Sequence, residues 1–397
     1  MIHARHLHAQ MCPDVQTSNG TSTDCVMPVG LVIVAPHLTT RKRSNDMTHA
    51  LVEPARVSAD EPDAQVRVAV VGVGAIGGVF AGWLGSRLPA GRIRLSALAR
   101  GDTLRALQAQ GLVLQEAAGP VHVPLHASDD PAALGPQDLV ILAVKGPALA
   151  AVAPAVRALL APHTTVLVAM NGVPWWFFDG LPGSCEGLAL DTVDPGGVIA
   201  AAIPGRHVLG CVVHVSASAP GPGEVANVRH NSLIIGEPAG GLSPRVDATA
   251  ALLAEAGFAV TRSERIQHDI WFKLWGNMTM NPVSALTGVT CDRILDDPLV
   301  RAFCSAVMTE AQAIGRHIGC DIDQQPDDRH AITRGLGAFK TSMLQDLEAG
   351  RALEIDGLVG AVREIGQHLG LHTPHTDALL GLVRLMAQGR GLYPVRT

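Results

Sequence analysis

Regular alternation of apolar and polar positions begins at Val66. VRVAVVGVGAIGGVFAGWL reads as a buried strand, a glycine turn and a helix. RIRLSALAR (92–100) reads as a second strand, 102–110 as a helix, and 112–126 as a pair of short strands. DLVILAVK (138–145) and TTVLVAMNG (164–172) are further buried strands with an alanine-rich helix between them. Strands alternating with helices at this spacing predict a parallel, doubly wound sheet. GRHVLGCVVHV and the stretch 224–236 add strands, separated by the loop ASAPGPGE. From about residue 265 the period turns helical, over roughly 267–281, 298–319, 328–348, 354–370 and 375–388. The pattern therefore predicts an α/β Rossmann-type domain over 65–264 and an all-α domain over 265–397. Residues 1–64, rich in His, Thr, Asp and Pro without a sustained period, read as a disordered extension. Met47 is a candidate start within it, which leaves the translation of residues 1–46 open.

Composition narrows the function classes. Apolar residues at 47% and charged ones at 17% describe a chain that buries a core. A net charge of -6 without a basic block argues against nucleic acid as a partner. The apolar run Val29 to Ala35 is far shorter than the ~20 residues of a membrane span, so no membrane association is expected. The seven cysteines are scattered with no CxxC pair, which disfavours a disulfide framework or zinc knuckle and fits a reducing cytoplasm. The 17 histidines form no HExxH-type array, and no metal is expected.

The glycine turn carries the first chemistry. Gly72, Gly74 and Gly77, with Ala75 and Ile76 between them, form a GxGxxG after a strand and opening a helix. The first two glycines permit the turn and close approach to a pyrophosphate, the third permits helix–strand packing, and the helix start offers N–H groups to the anion. At the end of the second strand an NAD enzyme places an acid against the ribose diol; here stands Arg100, suited to a 2′-phosphate, with Asp102 close by. Lys145, at its strand end, points to the same crevice. The expected cofactor is NADPH. In the helical half, IWFKLWGNMTMNP places Lys273, Asn277 and Asn281 along one helix face. Buried, they need polar partners, which a bound oxo-acid provides. In KTSMLQDLEAGRALEID, Ser342 and Glu354 lie either side of a helix break at Gly350, the hydroxyl a donor to a carboxylate and the acid a partner for a lysine. Each group also has an ordinary structural explanation open to it: a solvated arginine, a snorkelling lysine, a helix cap.

Together these residues resemble the ketopantoate reductase (2-dehydropantoate 2-reductase) family. The likeness rests on GVGAIG, the strand ending in Lys145, MNG at Asn171, WFKLWGN around Lys273, and TSMLQD…LEID around Ser342 and Glu354. The resemblance implies NADPH-dependent reduction of 2-dehydropantoate to (R)-pantoate in pantothenate biosynthesis, and a helical domain like that of 6-phosphogluconate dehydrogenase. It implies Lys273 as proton donor and Asn277, Asn281 and Ser342 as substrate-holding groups. Glu354 would pair with substrate and lysine, and Asn171 would lie between nicotinamide and substrate. A homodimer is implied by the resemblance alone. The sequence departs from the family where an asparagine is common about eighteen residues after the lysine, here TCDR with Cys291, and just before the TSM segment, near Phe339. The aromatic run in NGVPWWFF is a third departure. These bear on which 2-oxo acid is reduced. The rival readings are a paralogous reductase of another 2-oxo acid, a non-catalytic NADPH sensor, and an oligomerisation module.

Overall fold

The computed structural model describes residues 65–395. The extension 1–64 and the candidate start at Met47 lie outside the described residues. Ten strands form one mixed sheet: β1 (Val66–Val71), β2 (Ile93–Leu98), β3 (Leu112–Glu116), β4 (Gly119–Val123), β5 (His126–Ser128), β6 (Gln137–Leu142), β7 (Leu160–Val168), β8 (Val208–Ser218), β9 (Glu224–Gly236) and β10 (Ala259–Ser263). Their spatial order is β4-β3-β9-β8-β7-β6-β1-β2-β5, with β10 also pairing with β9. The six strands from β5 across to β8 run parallel. β9 turns antiparallel to β8, and β3 and β10 run parallel to β9.

The central strands are wholly apolar along their buried stretches, Val68–Val71, Leu139–Leu142 and Val166–Val168, because both sheet faces are covered there. Alternation divides their side chains between two cores. Val68 and Val70 of β1 pack with Phe80, Trp83 and Leu84 of the helix Ala75–Arg87. Ala69 and Val71 face the other way, into a core shared with Trp271, Leu274 and Trp275 of the helix Ile266–Thr287. The run Trp175–Phe178 lies in that second core, with the Phe177 ring centroid 6.0 Å from that of Trp271. Its position explains the aromatic departure: these side chains pack the sheet against the helices.

The helical half differs from the sequence reading in four places, the first an added short helix, Cys291–Asp296. The helix expected to end near 281 continues through Pro282 to Thr287 and closes on Gly288 in the left-handed region, whose N–H donates to the Ser284 carbonyl. The single helix expected over 328–348 is two, Pro326–Gly335 and Ser342–Glu348, separated at Gly337 with φ +76°. The helix expected from 354 opens with a π-helical turn, Asp356–Gly360, before Ala361–His368. The helix Pro244–Glu255 and β10 are elements that the apolar pattern does not signal.

Candidate active site

Every candidate cofactor group follows the C-terminal end of a parallel strand, where open α/β sheets bind ligands. Gly72 follows β1 with φ +89°, and a β-carbon there would stand 2.6 Å from Val144 Cγ1 and 2.9 Å from Val144 N. At Gly77 a β-carbon would lie 2.1 Å from the Gly72 carbonyl oxygen, so only glycine lets the helix sit this close. Gly74 is exposed, and nothing lies within 4 Å of the β-carbon it lacks. The helix that Ala75 and Ile76 open has no side-chain cap and no acid in its first turn. Its first N–H groups therefore remain available to an anion, favoured by the helix dipole. This donor set fits a dinucleotide pyrophosphate.

Arg100 precedes the helix Gly101–Gln110 and is exposed, with no side-chain cap bond to that helix. Lys145 precedes the helix Gly146–Arg157, and its ammonium pairs with the buried carboxylate of Asp346, which also accepts from Arg351 Nε at 2.9 Å. Lys145 thus reaches across to the helical half.

The catalytic candidates converge on Lys273. Its Nζ donates to Asn171 Oδ1 at 2.9 Å and to the Val213 carbonyl at 2.7 Å. Asn171 in turn bonds through its side chain to Glu354, which also accepts a 3.3 Å bond from the Gly146 N–H. Asn171 therefore bridges the ammonium and the carboxylate. The turn holding it is fixed by backbone contact: the Val173 N–H donates to the Gly357 carbonyl at 2.8 Å, and at Gly172, φ +81°, a β-carbon would lie 2.5 Å from that oxygen.

Burial lowers the Lys273 pKa from 10.5 to about 8; Cys211 and Glu354 oppose the shift and Arg329 adds to it. The neighbouring Cys211 thiol is pushed up to about 12 by burial and stays neutral. Burial also raises Glu354, against the opposing pull of the Gly146 N–H, Lys145 and the Asn171 side chain. An ammonium has three N–H donors. Two are engaged, which leaves one for a ketone oxygen. A lysine that gives up its proton near neutral pH is matched to general-acid work.

Asn277 lines the same small cavity as Asn171, Gly172 and Lys273. Asn281 is buried one turn further along. Ser342 is exposed, at the start of a short helix packed on Ile266–Thr287, and Thr341 holds the cap, its Oγ1 accepting from the Leu344 N–H at 3.2 Å. The structure thus brings together Lys273, Asn171, Glu354 and Asn277, while no hydrogen bond joins Ser342 to them among the described residues.

Sequence reasoning missed Arg329. It projects from Pro326–Gly335 with its guanidinium carbon 5.5 Å from the Phe272 ring centroid. Its Nε is buried without a hydrogen-bond partner among the described residues. The one legible sign was Gly276 inside an otherwise bulky helix, since a β-carbon there would lie 2.6 Å from that Nε. Among the described residues no group of three or more His, Cys, Asp or Glu could hold a metal ion, and no helix is long and apolar enough to cross a membrane.

Comparison with known proteins places this geometry among relatives. The family model described as ketopantoate reductase PanE/ApbA matches residues 68–175, and its C-terminal counterpart matches 265–387. A Mesorhizobium japonicum protein named 2-dehydropantoate 2-reductase is 42% identical over 328 residues, 83% of this chain and 100% of that one. The crystal structure of a candidate ketopantoate reductase from Ralstonia solanacearum is 57% identical with a TM-score of 0.79, covering 83% of this chain and 100% of that one. A PanE/ApbA family ketopantoate reductase from Ralstonia eutropha is 28% identical with a TM-score of 0.67, over 82% of this chain and 100% of that one.

Proposed function

The chain belongs to the ketopantoate reductase family of oxidoreductases, and on that premise we propose that it reduces 2-dehydropantoate to (R)-pantoate with NADPH, a step toward pantothenate. The observation that carries the reading is the Lys273 ammonium, held by Asn171 and the Val213 carbonyl with one donor left over, and joined through Asn171 and Glu354 to the Gly146 N–H, at the strand end whose Val144 abuts Gly72.

When bound, a reduced nicotinamide would supply the hydride for the ketone carbon. Gly72, Gly74 and Gly77 with the N–H groups at Ala75 and Ile76 would hold its pyrophosphate, and Arg100 would meet the 2′-phosphate. Lys145 stands at the same crevice, where it and Arg351 share the single carboxylate of Asp346, so the trio keeps one net positive charge. Lys273 polarises the ketone oxygen and gives it a proton as negative charge develops there. Asn171 and Glu354 fix the ammonium in place. Asn277 and Asn281 offer amides to the substrate along the same helix face, and Ser342 is a peripheral donor.

The test is cofactor oxidation with 2-dehydropantoate, comparing NADPH with NADH and the native chain with Arg100→Ala. Loss of a charge-assisted phosphate contact is expected to cost roughly 10- to 150-fold in NADPH affinity, with little change for NADH. Equal use of both cofactors by the native chain contradicts the assignment.

A second reading, reduction of another 2-oxo acid, is favoured by one observation. Two of the three departures from the family pattern meet, the Cys291 N–H donating to the Phe339 carbonyl at 3.1 Å. A panel of 2-oxo acids, ranked by kcat/KM, separates the readings.

A further inference from the structure

We propose that Arg329 is a substrate-positioning residue whose guanidinium grips the carboxylate of the 2-oxo acid while Lys273 faces its ketone; this rests on the function proposed above. Phe272 and Gly276, which seat Arg329, each immediately precede Lys273 and Asn277 on the helix. The guanidinium therefore borders the face that carries the proton donor. A 2-oxo acid carries carboxylate and ketone on adjacent carbons, so its two recognition groups must also be neighbours. The planar fork of an arginine matches a carboxylate bidentately.

The Arg329 guanidinium lacks an acceptor among the described residues. Arg329 makes no ion pair among the described residues, and its Nε is buried and unpartnered. Lys273 and His214 lie close enough for Arg329 to depress the pKa of both. The carboxylates that act on His214 and Lys273 bond elsewhere: Asp269 accepts from the Ser263 hydroxyl, and Glu354 from Asn171 and the Gly146 N–H. Cys211 is neutral. A substrate carboxylate supplies the acceptor that the guanidinium lacks. The helix of Arg329 also packs against Cys291–Asp296, which begins at one of the positions where a family asparagine is absent. Arg329 thus brings new donors into a neighbourhood that has lost an amide.

The test compares 2-dehydropantoate with its methyl ester in the native enzyme, Arg329→Met and Arg329→Lys. Arg329→Met is expected to lower kcat/KM for the acid by roughly 10- to 150-fold, mainly through KM, and to leave the ester within about twofold. Arg329→Lys should recover part of the loss. Four charged or titratable groups face Lys273: Cys211, Glu354, Arg329 and His214, whose own pKa burial holds low. Removing the cation among them should move the alkaline limb of the pH profile to higher pH in Arg329→Met and not in Arg329→Lys. Gly276→Ala, whose methyl displaces the guanidinium, should reproduce the acid-selective loss if Arg329→Met does not fold. An unchanged acid-to-ester ratio in an active enzyme overturns the contact and leaves the function standing. Calorimetric binding of oxamate, read without turnover, covers the converse: binding that depends on Arg329 in an enzyme that reduces no 2-oxo acid keeps the contact and removes the function.

Discussion

An ammonium held by one amide oxygen and one backbone carbonyl, with neither a formal anion, is an unusual way to keep a lysine inside a protein. Desolvation then dominates and brings the pKa to about 8. The donor works protonated, so ketone reduction should hold steady below that value and fall about tenfold per pH unit above it; kcat/KM against pH checks this. A rate that climbs through pH 9 contradicts the role. Lys273→Ala should lower turnover by roughly 10²–10⁴-fold while cofactor affinity survives. Near-native activity in that variant removes Lys273 from the chemistry. Lys273 and Asn277 were legible because helical spacing places them on one face. The bridge through Asn171 to Glu354 was not, since it joins segments far apart in the chain whose meeting depends on tertiary packing. Arg329 was hidden by its setting: PDDRH reads as a solvated helix start, and only close approach at Gly276 betrays it.

The glycine turn shows how one short motif divides its work. Gly77→Ala would drive a methyl against the Gly72 carbonyl, so it should lower both the free energy of unfolding, by about 1–3 kcal/mol, and cofactor affinity. Gly74→Ala meets no atom, and its backbone, at φ -93°, is open to alanine. Its stability should be unchanged while cofactor affinity drops, because the methyl occupies the approach to the helix N–H groups. Thermal melts and cofactor titration of the two variants read this contrast; matching stability losses would contradict it. The strands β1, β6 and β7 were legible from the apolar runs Val68–Val71, Leu139–Leu142 and Val166–Val168, and β2 from the alternation of Ile93, Leu95 and Ala97 with polar positions. The break at Gly337 was missed because the polar faces of the two short helices merge into one apparent period. Pro282 misled in the other direction: it is buried in a helix that continues past it, where burial outweighs the lost N–H bond.

The sheet and the helices share one of the two cores, and this governs how the molecule as a whole behaves. Unfolding of residues 65–395 should therefore follow a single transition, with tryptophan emission and far-ultraviolet dichroism coincident. Two separated transitions would refute a shared core. Trp176→Ala, at the junction, should cost about 3–5 kcal/mol while keeping a single transition. The two-part architecture was legible from the change of period near residue 265. The common core was not, because periodicity shows which face of an element is apolar and never what covers it. All five tryptophans are buried, four of them in the core that Lys273's helix shares with the sheet. Indole emission overlaps the absorption band of a reduced nicotinamide. The molecule is thus its own optical gauge: arrival of the dinucleotide dims a fluorescence already present, and occupancy can be followed without a label or a turnover.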